Sequence, residues 1–291
     1  MVKVQRSFRQ DRAKLYIVPT PIGNLEDITL RALRILKEVD LIACEDTRQT
    51  KKLLNHFEIE KRLLSYHEHS QESREQELIE WIRSGNSVAL VSDAGMPMIS
   101  DPGYGLVKKA READLDVVVL PGANAALCAL VGSGISAYSF TFYGFLPKKK
   151  KELTETLEEL DQGKHTLIFY ESPYRVKKTL GTMEDVYSSE RKVTLARELT
   201  KKFEEYISGS IDEVKRWIDE NESQLRGEFC IIVEPSEGYP DEDHSWWKGL
   251  TLIQHVEHYM EKEQLKTKSA VKKVASDRGM SSREVYQEFH N

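Results

Sequence analysis

Short apolar runs recur through the first half of the chain, at Leu15 to Val18, Leu41 to Cys44, Val88 to Ser92 and Val117 to Leu120. Between them the apolar positions take helical spacing, as in Leu30-Leu33-Leu36 and Leu106-Val107-Ala110. Strands alternating with helices predict a parallel sheet covered on both faces, because each crossover helix must lie across the sheet. The ligand loops of such a sheet gather at the carboxyl ends of its strands.

Three loops are expected at that edge: Pro19 to Leu25, Ser92 to Gly103, and Pro121 to Ala126. The second packs Asp93, Asp101, two glycines and two prolines into one turn. Glycines let backbone approach a ligand closely, and prolines hold a loop open. A tight solvated turn accounts for either half of that loop but not for both together. The residues expected to form a pocket are Ile22 and Gly23 from the first loop, Asp93, Ala94, Gly95, Met96 and Pro97 from the second, and Pro121, Gly122, Ala123, Asn124 and Ala125 from the third.

The pattern changes near Phe140 to Pro147, where Lys148 to Lys151 lead into a polar helix ending around Gly163. Strands are expected at Thr166 to Tyr170, Val193 to Arg197, Phe203 to Ser208 and Glu228 to Glu234. The last two have little helix between them, which suggests a mixed sheet. Past an acidic and aromatic stretch from Pro235 to Trp247, one helical face reads Leu252-Ile253-His255-Val256-Tyr259. Ala270-Val271-Val274-Ala275, a turn at Gly279, an N-cap at Ser281 and Val285-Tyr286 follow. The expected fold class is α/β: two α/β domains with a cleft between them, plus a small helix-turn-helix-like unit. The expected divisions are a basic tail (1–13), an N-terminal domain (14–139), a C-terminal mixed domain (140–234), a linker (235–248) and a helical unit (249–291).

Composition narrows the classes. The 291 residues are 40% hydrophobic and 31% charged, enough for a substantial core in a soluble protein. No apolar run reaches the length of a membrane span, and the basic tail with Lys3, Arg6, Arg9, Arg12 and Lys14 lacks the apolar core of a signal peptide. Cys44, Cys128 and Cys230 are odd in number and far apart, as expected of buried thiols in a reducing cytosol. The net charge is −6, yet residues 245–291 carry eight Lys and Arg against six Asp and Glu. That basic end either touches nucleic acid, through Lys266, Lys268, Lys272 and Lys273, or is a packing module with a solvated face.

No Gly-x-Gly-x-x-Gly follows the first strand and no phosphate loop occurs, so the expected cofactor lacks a phosphate chain. His67-x-His69 and the pair His255 and His258 lack the companions of a metal site, and no metal is expected.

Several segments together resemble one family. They are the loop after the first strand, Glu45-Asp46-Thr47-Arg48, Ser92 to Gly103, Leu120 to Ala126, Tyr143 to Pro147, Phe169 to Arg175, Ala196 to Lys201 and Gly227-Glu228-Phe229. In order and spacing over residues 14–234 the chain is similar to the ribosomal RNA small subunit methyltransferase I family of the tetrapyrrole methylase superfamily. The resemblance implies two α/β domains with S-adenosylmethionine in the cleft, usually in a homodimer. It also implies methyl transfer to the ribose 2′-hydroxyl of a decoding-centre cytidine in 16S ribosomal RNA of the small subunit, a cytoplasmic partner. Two departures from the wider superfamily, Pro19-Thr20-Pro21-Ile22-Gly23 in place of a Gly-rich turn and Ser92-Asp93-Ala94-Gly95 in place of Gly-Asp-Pro, point to the RNA branch. Asn124 and Ala125 replace residues often seen in the third loop.

Methyl transfer from a sulfonium is an in-line displacement in which alignment can supply roughly 7–11 kcal/mol. A neutral hydroxyl attacks slowly, so a carboxylate within reach would accept its proton. Glu45, Asp46, Glu171 and Glu198 are candidates, of which Asp46 and Glu171 are favoured; Asp46 could instead cap a helix, and Glu198 could pair with Arg197 or Lys201. Arg48, Arg175, Arg197 and Lys201 suit RNA phosphates, with structural ion pairing as their competing role. A methylase of a tetrapyrrole or other small molecule, and a nonenzymatic nucleic-acid binder, are the alternative readings.

Overall fold

The computed structural model describes residues 4, 5, 7, 12–67, 71–222, 225–236, 247 and 249–290, with only the backbone of residue 71. Lys3, Arg6, Arg9, His69 and most of the expected linker lie outside the described residues.

Five strands form the first sheet: β1 (Lys14–Ile17), β2 (Leu41–Cys44), β3 (Leu63–Ser65), β4 (Val88–Val91) and β5 (Asp116–Val119). They are all parallel, in the order β3-β2-β4-β1-β5. The crossovers run through α1 (Leu30–Glu38), α2 (Thr47–His56), α3 (Gln71–Arg83) and α4 (Tyr104–Glu112). Successive residues face opposite sides, so Leu41 and Ala43 enter one core with Leu78 and Leu106, while Ile42 and Cys44 enter the other with Ile35 and Leu36. Every residue of β2 and β4 is buried, which is why these strands read as unbroken apolar runs. β3 is only half-buried along its three residues and carries no such signal.

The second sheet contains β6 (Phe140–Phe145), β7 (Thr166–Glu171), β8 (Lys192–Arg197), β9 (Glu205–Ser210) and β10 (Phe229–Val233) in the order β6-β7-β10-β8-β9. Only β6 and β7 are parallel; the other pairs are antiparallel, giving the expected mixed sheet. One face is closed by α6 (Lys150–Asp161), α7 (Val176–Val186) and α8 (Ile211–Glu220). The expected strand at Phe203 begins two residues later, because 198–204 is a turn in which Lys201 N–H bonds Glu198 O and Glu204 N–H bonds Lys201 O. The connection to the last strand is likewise not short of helix. The Ser210 hydroxyl accepts from Glu213 N–H and the Glu213 carboxylate from Ser210 N–H, a capping box that starts α8.

The other face of the second sheet is covered by α5 (Ala125–Ser133), which leaves the first sheet after β5. Its Ala126, Ala129 and Leu130 pack on Ile168, Ala196, Cys230 and Ile232. The expected boundary at 139/140 therefore falls after a helix whose packing belongs to the second sheet, and contacts join residues 1–237 into one compact unit. Cys44 and Cys230 are buried thiols, whereas Cys128, on the outer side of α5, is exposed, contrary to expectation. No helix among the described residues is long and apolar enough to cross a membrane.

The second unit, 238–291, has its own core. Its helices are α9 (Leu252–Lys262), α10 (Thr267–Arg278) and α11 (Ser282–His290), packed through Leu252, Val256, Tyr259, Ala270, Val274 and Val285. Glu284 N–H donates to the Ser281 hydroxyl at 3.2 Å, the N-cap that the sequence announces. His255 is buried, stacked on Trp247, with Arg278 Nε donating to its Nδ1 at 3.2 Å. Burial first, and then the Arg278 charge, hold its imidazole pKa below the ordinary range.

Because this core is closed within the last 54 residues, damage to it should stay local. Val256, fully buried, changed to alanine is expected to cost on the order of 2 kcal/mol. Hydrogen exchange should then speed up for amides of 252–290 and leave those of both sheets unchanged; equal loss of protection across 14–236 would contradict the division.

Candidate functional site

The carboxyl ends of β1, β2, β4 and β5 face the β6, β7, β8 and β10 ends of the second sheet across a cavity of about 310 Å³. Such a volume is at the lower end of small-molecule sites. Its lining includes Ile22, Asp93 to Met96, Ile99 to Asp101, Asn124 and Ala125 from the first sheet's loops. Phe145, Tyr170, Glu171, Ala196, Glu198, Leu199, Lys201 and Glu228 to Cys230 come from the second.

Local hydrogen bonds fix the first two loops against each other. Thr20 N–H donates to Gly95 O and Gly95 N–H to Thr20 O, both at 2.9 Å, while the Thr20 hydroxyl donates to Ser92 O at 3.0 Å. The Ser92 hydroxyl in turn donates to Gly95 O at 3.1 Å. Gly95 has φ +80°, backbone that favours glycine, and a Cβ there would also stand a tight 3.2 Å from the Ile22 side chain. At Gly122 a Cβ would meet the Pro19 ring at 2.7 Å, which presses the first and third loops together. Met98 and Ser100, at φ +73° and +63°, and Glu198 and Thr200, at +51° and +66°, hold left-handed backbone without being glycine. Strain of this kind, about 1–3 kcal/mol each, collects at functional sites.

On the far wall a bulge in β6, between Phe142 and Gly144, shifts the register so that Phe145 pairs with Tyr170 at the cavity. The two rings lie 5.7 Å apart, and Ala126 N–H in the first turn of α5 donates to the Tyr170 hydroxyl at 3.2 Å. Ile22, Met96, Ile99, Leu199, Phe145 and Tyr170 thus supply apolar surface, and Glu45, Asp93, Asp101, Glu171, Glu198 and Glu228 supply carboxylates. Lys201 is the one cation among the lining residues, and its ammonium lies 2.8 Å from Glu198. Among the described residues no His, Cys, Asp and Glu group is arranged to hold a metal ion.

Seven of the twelve expected pocket residues line the cavity: Ile22, Asp93, Ala94, Gly95, Met96, Asn124 and Ala125. Gly23, Pro97, Pro121, Gly122 and Ala123 lie in the same loops but are not among the lining residues. The favoured proton acceptors are placed otherwise. Asp46 is the N-cap of α2, accepting from Arg48 N–H at 2.8 Å, a bond that leads in holding its carboxyl below the ordinary range, and it does not line the cavity. Glu171 is 1% exposed and already accepts from the Thr179 hydroxyl at 2.7 Å and from Ser172 N–H at 2.8 Å, with Arg175 at 3.6 Å. These are structural pins, not free bases.

Two of the four expected phosphate-binding cations are also committed. Arg175 donates to Leu146 O at 3.0 Å and Pro147 O at 2.8 Å, tying the turns after β6 and β7 together. Arg197 is 9% exposed and pairs with Glu205 across β8 and β9 at 2.7 Å. Arg48, with its side chain 88% exposed, and Lys201, 37% exposed, remain accessible.

Asp101, quoted in the second loop but absent from the expected site, is the carboxyl that the cavity perturbs most clearly. Burial first, then the charges of Glu45, Asp93 and Glu228, push its pKa up to about 6, against a lowering by the Ser92 hydroxyl. The signal could not be read locally, since two of those neighbours come from distant strands.

A raised carboxyl pKa means the folded state binds the Asp101 proton more tightly than the unfolded chain. Stability from this group is therefore full at low pH and is lost as pH rises from the ordinary carboxylate range through about 6. Asp101→Asn should then melt higher than the parent at pH 8, by on the order of 1–2 kcal/mol after allowing for solvent screening, with the gap closing near pH 4. Parallel melting curves at both pH values would refute the coupling.

The family model for Tetrapyrrole (Corrin/Porphyrin) Methylases matches residues 14–215. Ribosomal RNA small subunit methyltransferase I of Bacillus subtilis (strain 168) is 53% identical to this chain over 293 aligned residues, covering 100% of this chain and 99% of the relative. The protein of the same name from Halalkalibacterium halodurans is 50% identical, covering 99% of each. Among solved structures, uroporphyrin-III C-methyltransferase from Thermus thermophilus complexed with S-adenosylhomocysteine superposes with a TM-score of 0.54 at 19% identity. It covers 76% of this chain and 97% of its own, a likeness of fold.

Proposed function

This chain belongs to the tetrapyrrole (corrin/porphyrin) methylase family and, within it, to the ribosomal RNA small subunit methyltransferase I group, and on that premise we propose that it methylates a ribose 2′-hydroxyl of 16S ribosomal RNA, using S-adenosylmethionine. The observation that carries this reading is the full-length identity to those relatives. The cavity supports it through its chemistry.

The donor set fits the cofactor. S-adenosylmethionine is a sulfonium cation bearing an ammonium group and a flat adenine. A cavity with six carboxylates suits the first two, and Ile22, Met96, Phe145, Tyr170 and Leu199 suit the third. The same acidity argues against a phosphate-bearing cofactor. When bound, this cofactor supplies an electrophilic methyl group. Asp93, Ala94, Gly95 and Met96 with Ile22, Asn124 and Ala125 would hold it.

The chain's own residues would do three things. The strained loops position the pocket walls before substrate arrives, so that little ordering remains at the moment of reaction. Asp101 takes the hydroxyl proton onto its carboxylate, in place of Asp46 and Glu171; with a pKa of about 6 it is ionised at neutral pH yet still basic enough to hold a proton. Arg48 and Lys201, the accessible cations, contact nearby phosphates.

Incubation with labelled S-adenosylmethionine and unmodified small subunits should place label on ribose oxygen of the RNA. Label only on a porphyrinoid precursor, or none, would reject the reading. Transfer should fall as pH drops through about 6, and Asp101→Asn should lower kcat about 100-fold while leaving S-adenosylhomocysteine affinity, by calorimetry, within a few-fold. An unchanged kcat would remove Asp101 from the chemistry.

A homodimer is part of the proposal, as is work in the cytoplasm, where the subunit is assembled. α5 is apolar nearly all round; its inner face lies on the second sheet while Leu127 and Val131 remain 47% and 77% exposed. Val119, Tyr138 and Phe140 add exposed apolar surface on neighbouring elements of the chain. Exposed apolar side chains four residues apart on one helix, as Leu127 and Val131 are, suit an interface between two copies. Val131→Asp should convert a dimer to a monomer in light scattering; a parent protein already monomeric would refute it.

A further inference from the structure

The cavity that takes the donor is acidic, and the chain as a whole carries −6. RNA is a polyanion, and affinity for it rests on neutralised phosphates. The proposed function therefore requires a local concentration of cations somewhere, and most of the basic side chains of the first unit named above are tied in ion pairs.

The second unit contains one. An open groove of about 650 Å³ between α10 and α11 is lined by Thr267, Lys268, Val271, Lys272, Ser282, Arg283, Tyr286 and His290. No carboxylate is among them. Helical spacing explains this segregation: on α11, Ser282, Arg283, Tyr286 and His290 share one side, and Glu284 and Glu288 fall on the opposite side. Glu284 is occupied there, its carboxylate accepting from Ser281 N–H at 2.9 Å.

Two other cations of the unit, Lys273 and Arg278, are committed. Lys273 pairs with Glu263 and lies over the Tyr259 ring. Arg278 donates to Leu250 O at 2.7 Å and to His255, closing the core. Lys268, Lys272 and Arg283 are exposed and have no ion pair among the described residues. Beside them Tyr286 is 51% exposed, its ring 4.3 Å from that of His290. Of the four lysines that the sequence offered for RNA, Lys268 and Lys272 enter this groove, and Lys266 and Lys273 do not.

We propose that the α10–α11 groove is an RNA-backbone site, in which Lys268, Lys272 and Arg283 neutralise phosphates of small-subunit ribosomal RNA and Tyr286 receives an unpaired base on its ring. Three unpaired cations flanking an exposed aromatic ring match the chemistry of single-stranded RNA, which presents phosphates and a stackable base together. A packing module would be expected to close this face with apolar side chains; Val271 is the only aliphatic one in the lining. The proposal rests on the RNA substrate argued above, and it names the surface of the second unit that would grip that substrate.

The test uses the full chain and a labelled fragment of small-subunit ribosomal RNA, with affinity measured at several salt concentrations. The triple variant Lys268→Ala, Lys272→Ala, Arg283→Ala should bind at least about tenfold more weakly, with the salt slope shallower by roughly 2, since each lost phosphate contact removes about 0.7–0.9. Lys268→Arg with Lys272→Arg should keep the parent slope, and Tyr286→Ala should weaken binding without altering it. Lys262→Ala, on α9, should change nothing. Melting temperature and S-adenosylhomocysteine affinity should stay at parent values throughout. An unchanged slope in the triple variant would overturn the proposal. So would a triple variant that binds naked RNA normally but loses the assembled subunit, which would point to a ribosomal protein as the partner. Because binding is read without methyl transfer, a groove that binds RNA in a protein that methylates none would sink the proposed activity alone.

Discussion

Parallel pairing of β1 with both β4 and β5 is the constraint from which the site follows. Parallel neighbours must all end on the same side, so the turns after β1, β4 and β5 are delivered to one edge whatever their sequences. The sequence then decides what those turns do. Thr20 and Gly95 exchange two backbone hydrogen bonds, Gly122 lies against Pro19, and the edge becomes a rigid wall. The second sheet, with its mixed pairing, brings strand ends of both directions to the opposite wall, which is why Glu228 from the start of β10 can stand near Asp101 from the end of β4.

How far this was legible in the sequence depended on burial. β2 was read to the residue because all four of its side chains are buried and apolar, and β4 to within one residue for the same reason; β5, with only Val118 buried, was found by its valine run alone. β3 escaped because half-buried Leu63, Leu64 and Ser65 have no contrast with their surroundings. Helices α2 and α8 went unassigned although both carried signals: Asp46 as a cap before α2, and Ile211, Val214 and Ile218 at helical spacing after the Ser210 and Glu213 capping pair of α8.

For the site, residue type was legible and role was not. The first-sheet loops yielded seven lining residues from their glycines, prolines and acids, since those types are demanded by the local backbone. The acids and cations were misassigned wherever a distant partner decides their state. Thr179 and Arg175 consume Glu171, Glu205 consumes Arg197, and the neighbours that perturb Asp101 lie in Glu45, Asp93 and Glu228. The same holds in the last helices, where spacing on α10 and α11 alone sorts Lys272 from Lys273.

The packing of α5 on the second sheet has a consequence for how the chain comes into being. Ala126, Ala129 and Leu130 bury themselves against β7, β8 and β10, the last of which ends at Val233. On a ribosome adding about 5–20 residues per second, the first sheet can pair long before those strands emerge, leaving α5 uncovered for roughly 5–20 s. During that interval an apolar helix hangs from a half-finished protein, with its inner and outer faces both open. Synthesis order thus leaves exposed for a time a helix that the finished fold hides on one side, because every strand that covers it is made after it.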